Sequence, residues 1–268
     1  MQAKKSLGQN FLKSKAAIAD IIKAAELTKD NIVLEVGPGK GVLTEALLEK
    51  AGKVIAVEKD DRLIEVLEEK FAAEIKAGKF QIIHQDILEF DPKEAGLVQG
   101  KYKLVANIPY YITGQLFRLF LQSDHQPSLL VLMVQKEVAK RIVASDGKES
   151  ILSLSVKVYG TPKYISKVPA KYFSPAPRVD SAILKVSDIS KKVFTENKID
   201  ELSFFELIKT GFAHKRKLVI KNLESLYNKD MLLKIFTELS IPTKERSETL
   251  SLETWKSILV RITDHLQN

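Results

Sequence analysis

Cysteine is absent from the 268 residues, so the chain has neither disulfides nor thiolate metal ligands, and nothing in it requires an oxidising compartment. The four histidines, His84, His125, His214 and His265, are scattered without metal-ligand spacing, and no metal site is expected. No stretch approaches the roughly eighteen consecutive apolar residues of a membrane span. The opening "MQAKKSLGQNFLKS" lacks the apolar core of a signal peptide. Neither a G-x-S-x-G elbow nor a Walker loop occurs, which removes two large hydrolase classes. Acidic side chains are the minority charge, 34 against 42 Lys and Arg, leaving +8. That excess favours a polyanionic partner such as nucleic acid. A cytoplasmic protein with no membrane association is expected, and 45% hydrophobic residues suffice for a real core.

What is present alternates. Ile18, Ile21, Ile22 and Ala25 recur at helical spacing and predict an amphipathic helix over 15–27. Beyond it, "NIVLEVG", "KVIAVEK", "FQIIHQD", "YKLVANI" and "SLLVLMVQ" read as short apolar strands. Helical segments such as "GVLTEALLEKAG" and "DDRLIEVLEEKFAAEI" lie between them. This rhythm predicts an α/β fold, Rossmann-like, with a mostly parallel, doubly wound sheet. Near residue 160 the pattern changes: "TPKYISKVP" and "VDSAILKVS" read as strands around the proline-rich "YFSPAPR". After about 188 only helical periods remain, as in "SFFELIKTGFAHKRKLVIKNLESL". A catalytic domain over 1–190 and a small all-helical domain over 191–268 are therefore expected.

Three features fall at the ends of the first three parallel strands, where open α/β sheets bind ligands. "EVGPGKGVLT" places Gly37, Gly39 and Gly41 between strand and helix, with Glu35 two residues ahead. A glycine loop admits close backbone approach to a ligand, but it also serves as a plain tight connection. Val42 stands where the dinucleotide fingerprint has its third glycine. Glu58 can accept from the ribose hydroxyls of an adenosine, or be a solvated end before Lys59 to Arg62. Asp86 can accept from an adenine amino group while Ile87 covers the ring, or cap a turn. One adenosine-bearing cofactor accounts for all three positions together.

The fourth strand ends in Asn107-Ile108-Pro109-Tyr110. The exocyclic nitrogen of adenine is a poor nucleophile, because its lone pair is delocalised into the ring. The Asn107 side-chain oxygen and the Ile108 carbonyl can grip its two N–H bonds and favour a pyramidal nitrogen aimed at an electrophile. Pro109 fixes φ and stiffens the turn. Tyr110 offers a ring on which the base can stack, worth about 1–3 kcal/mol. A methyl on a sulfonium held by the glycine loop would complete an in-line transfer, with the gain coming from positioning and fixed dipoles.

"EVGPGKGVLT", Glu58, Asp86 and "NIPY" resemble the S-adenosyl-L-methionine-dependent adenine-N6 methyltransferases. "GQNFL", "NIPYYIT", "VPAKYFSPAPRVDSAIL" and "GFAHKRKLVIKNL" resemble, more narrowly, the KsgA/RsmA family of small-subunit rRNA adenine dimethyltransferases, in order from Lys5 to Leu223. The resemblance implies that Asn10, Leu12, Gly37, Gly39, Glu58, Asp86, Ile87 and Asn107 contact the cofactor. It implies that Tyr110 and Phe173, the latter on a loop, sandwich the target base. The acid-free run Lys209, Lys215, Arg216, Lys217 and Lys221 reads by default as a solvated helix face, and the resemblance assigns it to RNA phosphates. Lys4, Lys5, Lys13 and Lys15 form a second such patch. Departures are Ile108, where leucine or proline is common, and the lysine that opens the basic pair in "AHKRK". The implied partner is small-subunit rRNA or the assembling 30S particle, acted on by a monomer. The competing readings are the macrolide-resistance type of large-subunit rRNA methyltransferase, a DNA adenine methyltransferase, a non-catalytic RNA-binding assembly factor, and an NAD-dependent dehydrogenase. The last leaves Asn-Ile-Pro-Tyr unexplained.

Overall fold

The computed structural model describes residue 4, residues 8–196 and residues 199–267. Among these, seven strands form one sheet, and two further short strands pair separately. In chain order the elements begin with β1 Phe11–Leu12, α1 Lys15–Ala25, β2 Ile32–Val36, α2 Val42–Lys50, β3 Lys53–Glu58, α3 Asp61–Lys70, α4 Ala72–Lys76 and β4 Phe80–His84. They continue with β5 Tyr102–Asn107, α5 Thr113–Leu121, β6 Leu129–Gln135, α6 Lys136–Val143, α7 Ile151–Lys157, β7 Thr161–Val168, β8 Phe173–Ser174 and β9 Ser181–Ser187. The helices α8 Lys192–Glu196, α9 Glu201–Gly211, α10 Val219–Leu223, α11 Lys229–Glu238 and α12 Leu252–Gln267 complete the chain.

The sheet order is β4-β3-β2-β5-β6-β9-β7. The first five of these run parallel, while β9 lies antiparallel to both β6 and β7. The inner strands are buried along most of their length (Val33, Leu34, Val105 and Leu130 are all 0% exposed), which is why they read as apolar runs and not as alternating patterns, whereas the edge strands β4 and β7 are largely half-exposed. Truncating any one of these leucines to alanine should cost about 2–5 kcal/mol. From β2 the chain proceeds through β3 and β4 on one side, then returns to add β5 and β6 on the other. The reversal falls between β2 and β5, paired from Ile32↔Tyr102 to Val36↔Ala106, and a ligand crevice belongs at their carboxyl ends.

Local chemistry sets the element ends. Ser14 caps α1, its side chain accepting from Ala17 N–H. At the other end the ammonium of Lys103 donates to the carbonyls of Ala25 and Glu26, where a cation suits the helix dipole.

The chain forms two compact units, Met1–Ala139 with Thr161–Ile189, and Lys140–Gly160 with Ser190–Asn268. The expected boundary near 190 thus has an exception: 140–160 packs with the C-terminal helices. The Tyr159 ring lies against Phe194 and Phe205, and Glu149 N–H bonds the Glu248 carbonyl. Expected as one long helical run, residues 203–226 are broken after Gly211. A Cβ there would stand 2.2 Å from the Trp255 ring. The Gly211 carbonyl is taken by the Asn222 amide and the Ser247 hydroxyl, so the i+4 amide that would extend the helix has no acceptor.

Candidate active site

At the carboxyl ends of β2, β3 and β5 lies a cavity of about 480 Å³, within the usual range of small-molecule sites. Its lining brings together Asn10, Leu12, Gly37, Gly39, Glu58, Asp86, Ile87, Asn107, Ile108, Pro109 and Tyr110. Some 19 to 28 residues of sequence separate each of these groups from the next, and the parallel register supplies their convergence.

Two glycines of the loop have distinct reasons. Gly37 holds φ +64, and a Cβ built on it would meet nothing within 4 Å, so its bare face is open for a ligand. Gly39 holds φ +59 with its Cβ direction 3.1 Å from the Phe11 ring, and its N–H donates to Glu58 Oε2 at 3.3 Å. Glu58 also accepts at Oε1 from Lys59 N–H and Asp60 N–H, both at 2.9 Å. Burial pushes the Glu58 carboxyl up, opposed by these three backbone donors. A buried carboxylate held by amides, lining the cavity with acceptor capacity left at Oε2, is well formed to accept from a hydroxyl.

Asp86 lines the cavity and caps the following turn. Its Oδ1 accepts from Leu88 N–H at 3.0 Å and its Oδ2 pairs with the Lys59 ammonium at 2.5 Å. Burial raises its pKa, and Lys59 with Leu88 N–H outweighs that, so the carboxyl sits below its ordinary value.

Asn107 donates its amide N–H to the Asn10 carbonyl at 3.2 Å. Because that partner can only accept, the amide orientation is set, and Oδ1 keeps its acceptor capacity. In the following turn, Ile112 N–H and the Thr113 hydroxyl use the carbonyls of Pro109 and Tyr110, leaving the Ile108 carbonyl outside the turn's hydrogen bonds. Tyr110 is half-buried, its hydroxyl 2.6 Å from Ser181 Oγ, which pins the ring in place.

Sequence reasoning missed the surroundings of Glu35. It is 1% exposed, lines the cavity, and neither oxygen has a hydrogen-bond partner among the described residues. Burial pushes its carboxyl up to about 8; the neighbouring Thr44 hydroxyl opposes the rise, and the Glu58 charge adds to it. This orphaned acid, together with the open face of Gly37, fits a polar ligand in the cavity.

Phe173 departs from expectation. It is not on a loop at the cavity but in β8, paired with β1 through Leu12↔Phe173, and its ring is 3% exposed within the core. Being large and apolar, it packs into the core beside Leu12. Lys215, Arg216 and Lys217 are exposed as expected, on the turn between α9 and α10 and not on a helix face. Lys221 pairs with Glu224 at 2.9 Å. In the N-terminal patch Lys4 pairs with Asp60 at 3.1 Å, while Lys5 lies outside the described residues.

A mostly parallel sheet whose crevice opens at its reversal point, with Val42 in place of a third loop glycine and an amide-led turn at the end of β5, has the Rossmann-like methyltransferase fold. Solved structures share it. A dimethyladenosine transferase from Plasmodium falciparum matches with TM-score 0.79 and 26% identity, covering 95% of this chain and 98% of that one. The 23S rRNA methyltransferase ErmE matches in fold at TM-score 0.77 and 24% identity, covering 95% and 100%. Sequence comparison then shows the family. The ribosomal RNA adenine dimethylase family model matches residues 1–264. Ribosomal RNA small subunit methyltransferase A of Dehalococcoides mccartyi is 44% identical over 267 residues, 99% of this chain and 90% of that one. The protein of the same name from Fusobacterium nucleatum is 37% identical, covering 96% of each. The chain belongs to the ribosomal RNA adenine dimethylase family and is an rRNA adenine dimethyltransferase.

Proposed function

We propose that this enzyme dimethylates N6 of adenosines in small-subunit rRNA, in the cytoplasm, with S-adenosyl-L-methionine bound in the cavity at the β2–β5 reversal. The observation that carries the reading is Asn107: its N–H is committed to the Asn10 carbonyl at 3.2 Å, so its oxygen remains as an acceptor at the strand end. S-adenosyl-L-methionine supplies an electrophilic methyl when bound. The chain's own residues do the rest. Gly37 presents bare backbone, Glu58 accepts from the ribose hydroxyls, Asp86 accepts from the cofactor's adenine, and Leu12 and Ile87 wall the pocket. Asn107 Oδ1 and the Ile108 carbonyl hold the two N–H bonds of the target amine, and the Tyr110 ring carries the base. No strong general base is needed, because the nitrogen loses its proton readily once methylated.

A flipped base fills one small pocket, which cannot by itself select a site in a long RNA. Phosphate contacts by Lys215, Arg216 and Lys217 supply part of that selection. Calorimetric titration tests the cofactor assignment: S-adenosyl-L-methionine should bind and NAD should not. Glu58→Ala, which removes buried acceptors, should weaken binding about ten-fold or more. NAD binding in preference to S-adenosyl-L-methionine would overturn the reading.

A further inference from the structure

Asp60 is a buried charge that the mechanism above does not use. It stands at the N-cap position of α3, where an aspartate ordinarily accepts from the helix's first amides, yet its side chain makes no cap hydrogen bond. Its carboxylate, 0% exposed, faces the N-terminal segment instead. Gln9 Nε2 donates to Oδ2 at 2.8 Å, and Lys4 Nζ donates to Oδ1 at 3.1 Å. Arg62 closes the other side with a two-pronged contact, Nε to Oδ1 at 3.0 Å and a terminal nitrogen to Oδ2 at 2.7 Å. Both ends of the Gln9 amide are engaged, since its Oε1 accepts from Lys4 N–H at 2.8 Å.

The segment so anchored forms one wall of the cavity through Gly8, Gln9, Asn10, Phe11 and Leu12. Phe11 lies against Gly39 and beneath the Lys40 ammonium, 5.1 Å from the ring centroid. The residue after Gln9 provides the carbonyl that orients Asn107. A continuous path therefore runs from Asp60 through Gln9 and Asn10 to the amide at the reacting centre.

We propose that Asp60 is a positioning residue: it anchors the strap of residues 8–12 over the cavity and, through Gln9 and Asn10, sets the orientation of the Asn107 amide. The Arg62 guanidinium, against the cost of burial and with help from Gln9 and Lys4, holds the Asp60 carboxyl far below the usual carboxylate range, so the anchor stays charged at every working pH. The strap's role in cofactor binding rests on the reading that S-adenosyl-L-methionine occupies this cavity; the anchoring itself does not.

The test uses the full-length protein as Gln9→Glu, Asp60→Asn and the double variant. Gln9→Glu sets two carboxylates face to face, and adding Asp60→Asn restores a donor to an acceptor. Amide hydrogen exchange over residues 8–13, without cofactor, reads the strap directly. Exchange should quicken about ten-fold or more in each single variant, consistent with losing a hydrogen bond to a charged group. It should slow again in the double variant, and affinity for S-adenosyl-L-methionine should follow the same order. A purely local role for Asp60 would make the two defects multiply. Wild-type exchange in both single variants, or multiplied defects in the double, would overturn the proposal. Absence of S-adenosyl-L-methionine binding to wild type would instead overturn the cavity assignment, and the exchange data would still decide the anchor.

Discussion

Replacing Glu35 with glutamine should stabilise the cofactor-free protein, and by more as pH rises. Glu35 lies at the end of β2 with 1% exposure and no hydrogen-bond partner for either oxygen among the described residues. Its carboxyl is raised from an ordinary 4.5 to about 8, chiefly by burial. Between those two values the folded protein keeps a proton that the unfolded chain has released, so wild-type stability falls with rising pH across this window and levels off above it. Each pH unit is worth about 1.4 kcal/mol, giving an upper bound of about 5 kcal/mol by pH 8. Glutamine reproduces the neutral form and removes the penalty. Urea unfolding followed by circular dichroism at pH 5, 6, 7 and 8, for both proteins, isolates the effect, because every other titration is common to the pair. The gap should open steadily from pH 5 to pH 8. Parallel profiles, or a glutamine variant less stable at pH 8, would show that Glu35 is not held as a buried acid.

Three further variants probe Tyr110 and the basic turn. Tyr110→Phe should keep base affinity and lose stability by about 1–3 kcal/mol, because Ser181 Oγ, in a residue with 0% exposure, loses its partner at 2.6 Å. Tyr110→Ala should weaken base binding ten-fold or more through lost stacking, as read by fluorescence titration with a short adenine-containing RNA; a severe binding defect in Tyr110→Phe would point to a polar role for the hydroxyl. Neutralising Lys215, Arg216 and Lys217 together should flatten the dependence of log K on log salt by up to about 0.7–0.9 per lost phosphate contact, without changing cofactor affinity. Superimposable salt series would place these three side chains outside the RNA contact.

The sheet and the three strand-end groups were legible because both signals are local: short apolar runs fix parallel strands, and a topological reversal collects whatever stands at their carboxyl ends. What the sequence concealed depends on partners far along the chain. Asp60 reads as an ordinary helix cap after a strand, and its bond to Gln9 spans 51 positions. Nothing in "EVGPG" distinguishes a buried, unpartnered Glu35 from an exposed one, since its burial comes from both flanking strands and α2. The helical period continues across Gly211 because the apolar residues on either side still face one core, and the break is made by Trp255, Asn222 and Ser247. Phe173 was misplaced because two-residue strands such as β1 and β8 are too short to show a period.

The most direct test is transfer of labelled methyl from S-adenosyl-L-methionine to small-subunit rRNA lacking its N6-methylated adenosines, presented as naked RNA and as assembling particles, followed by nucleoside analysis. Wild type should yield N6,N6-dimethyladenosine. Asn107→Ala, which removes one of the two amine acceptors, should nearly abolish it, and Asn107→Asp should retain partial activity with an altered pH profile. Wild-type turnover in Asn107→Ala, or methyl label recovered on any atom other than adenine N6, would contradict the account.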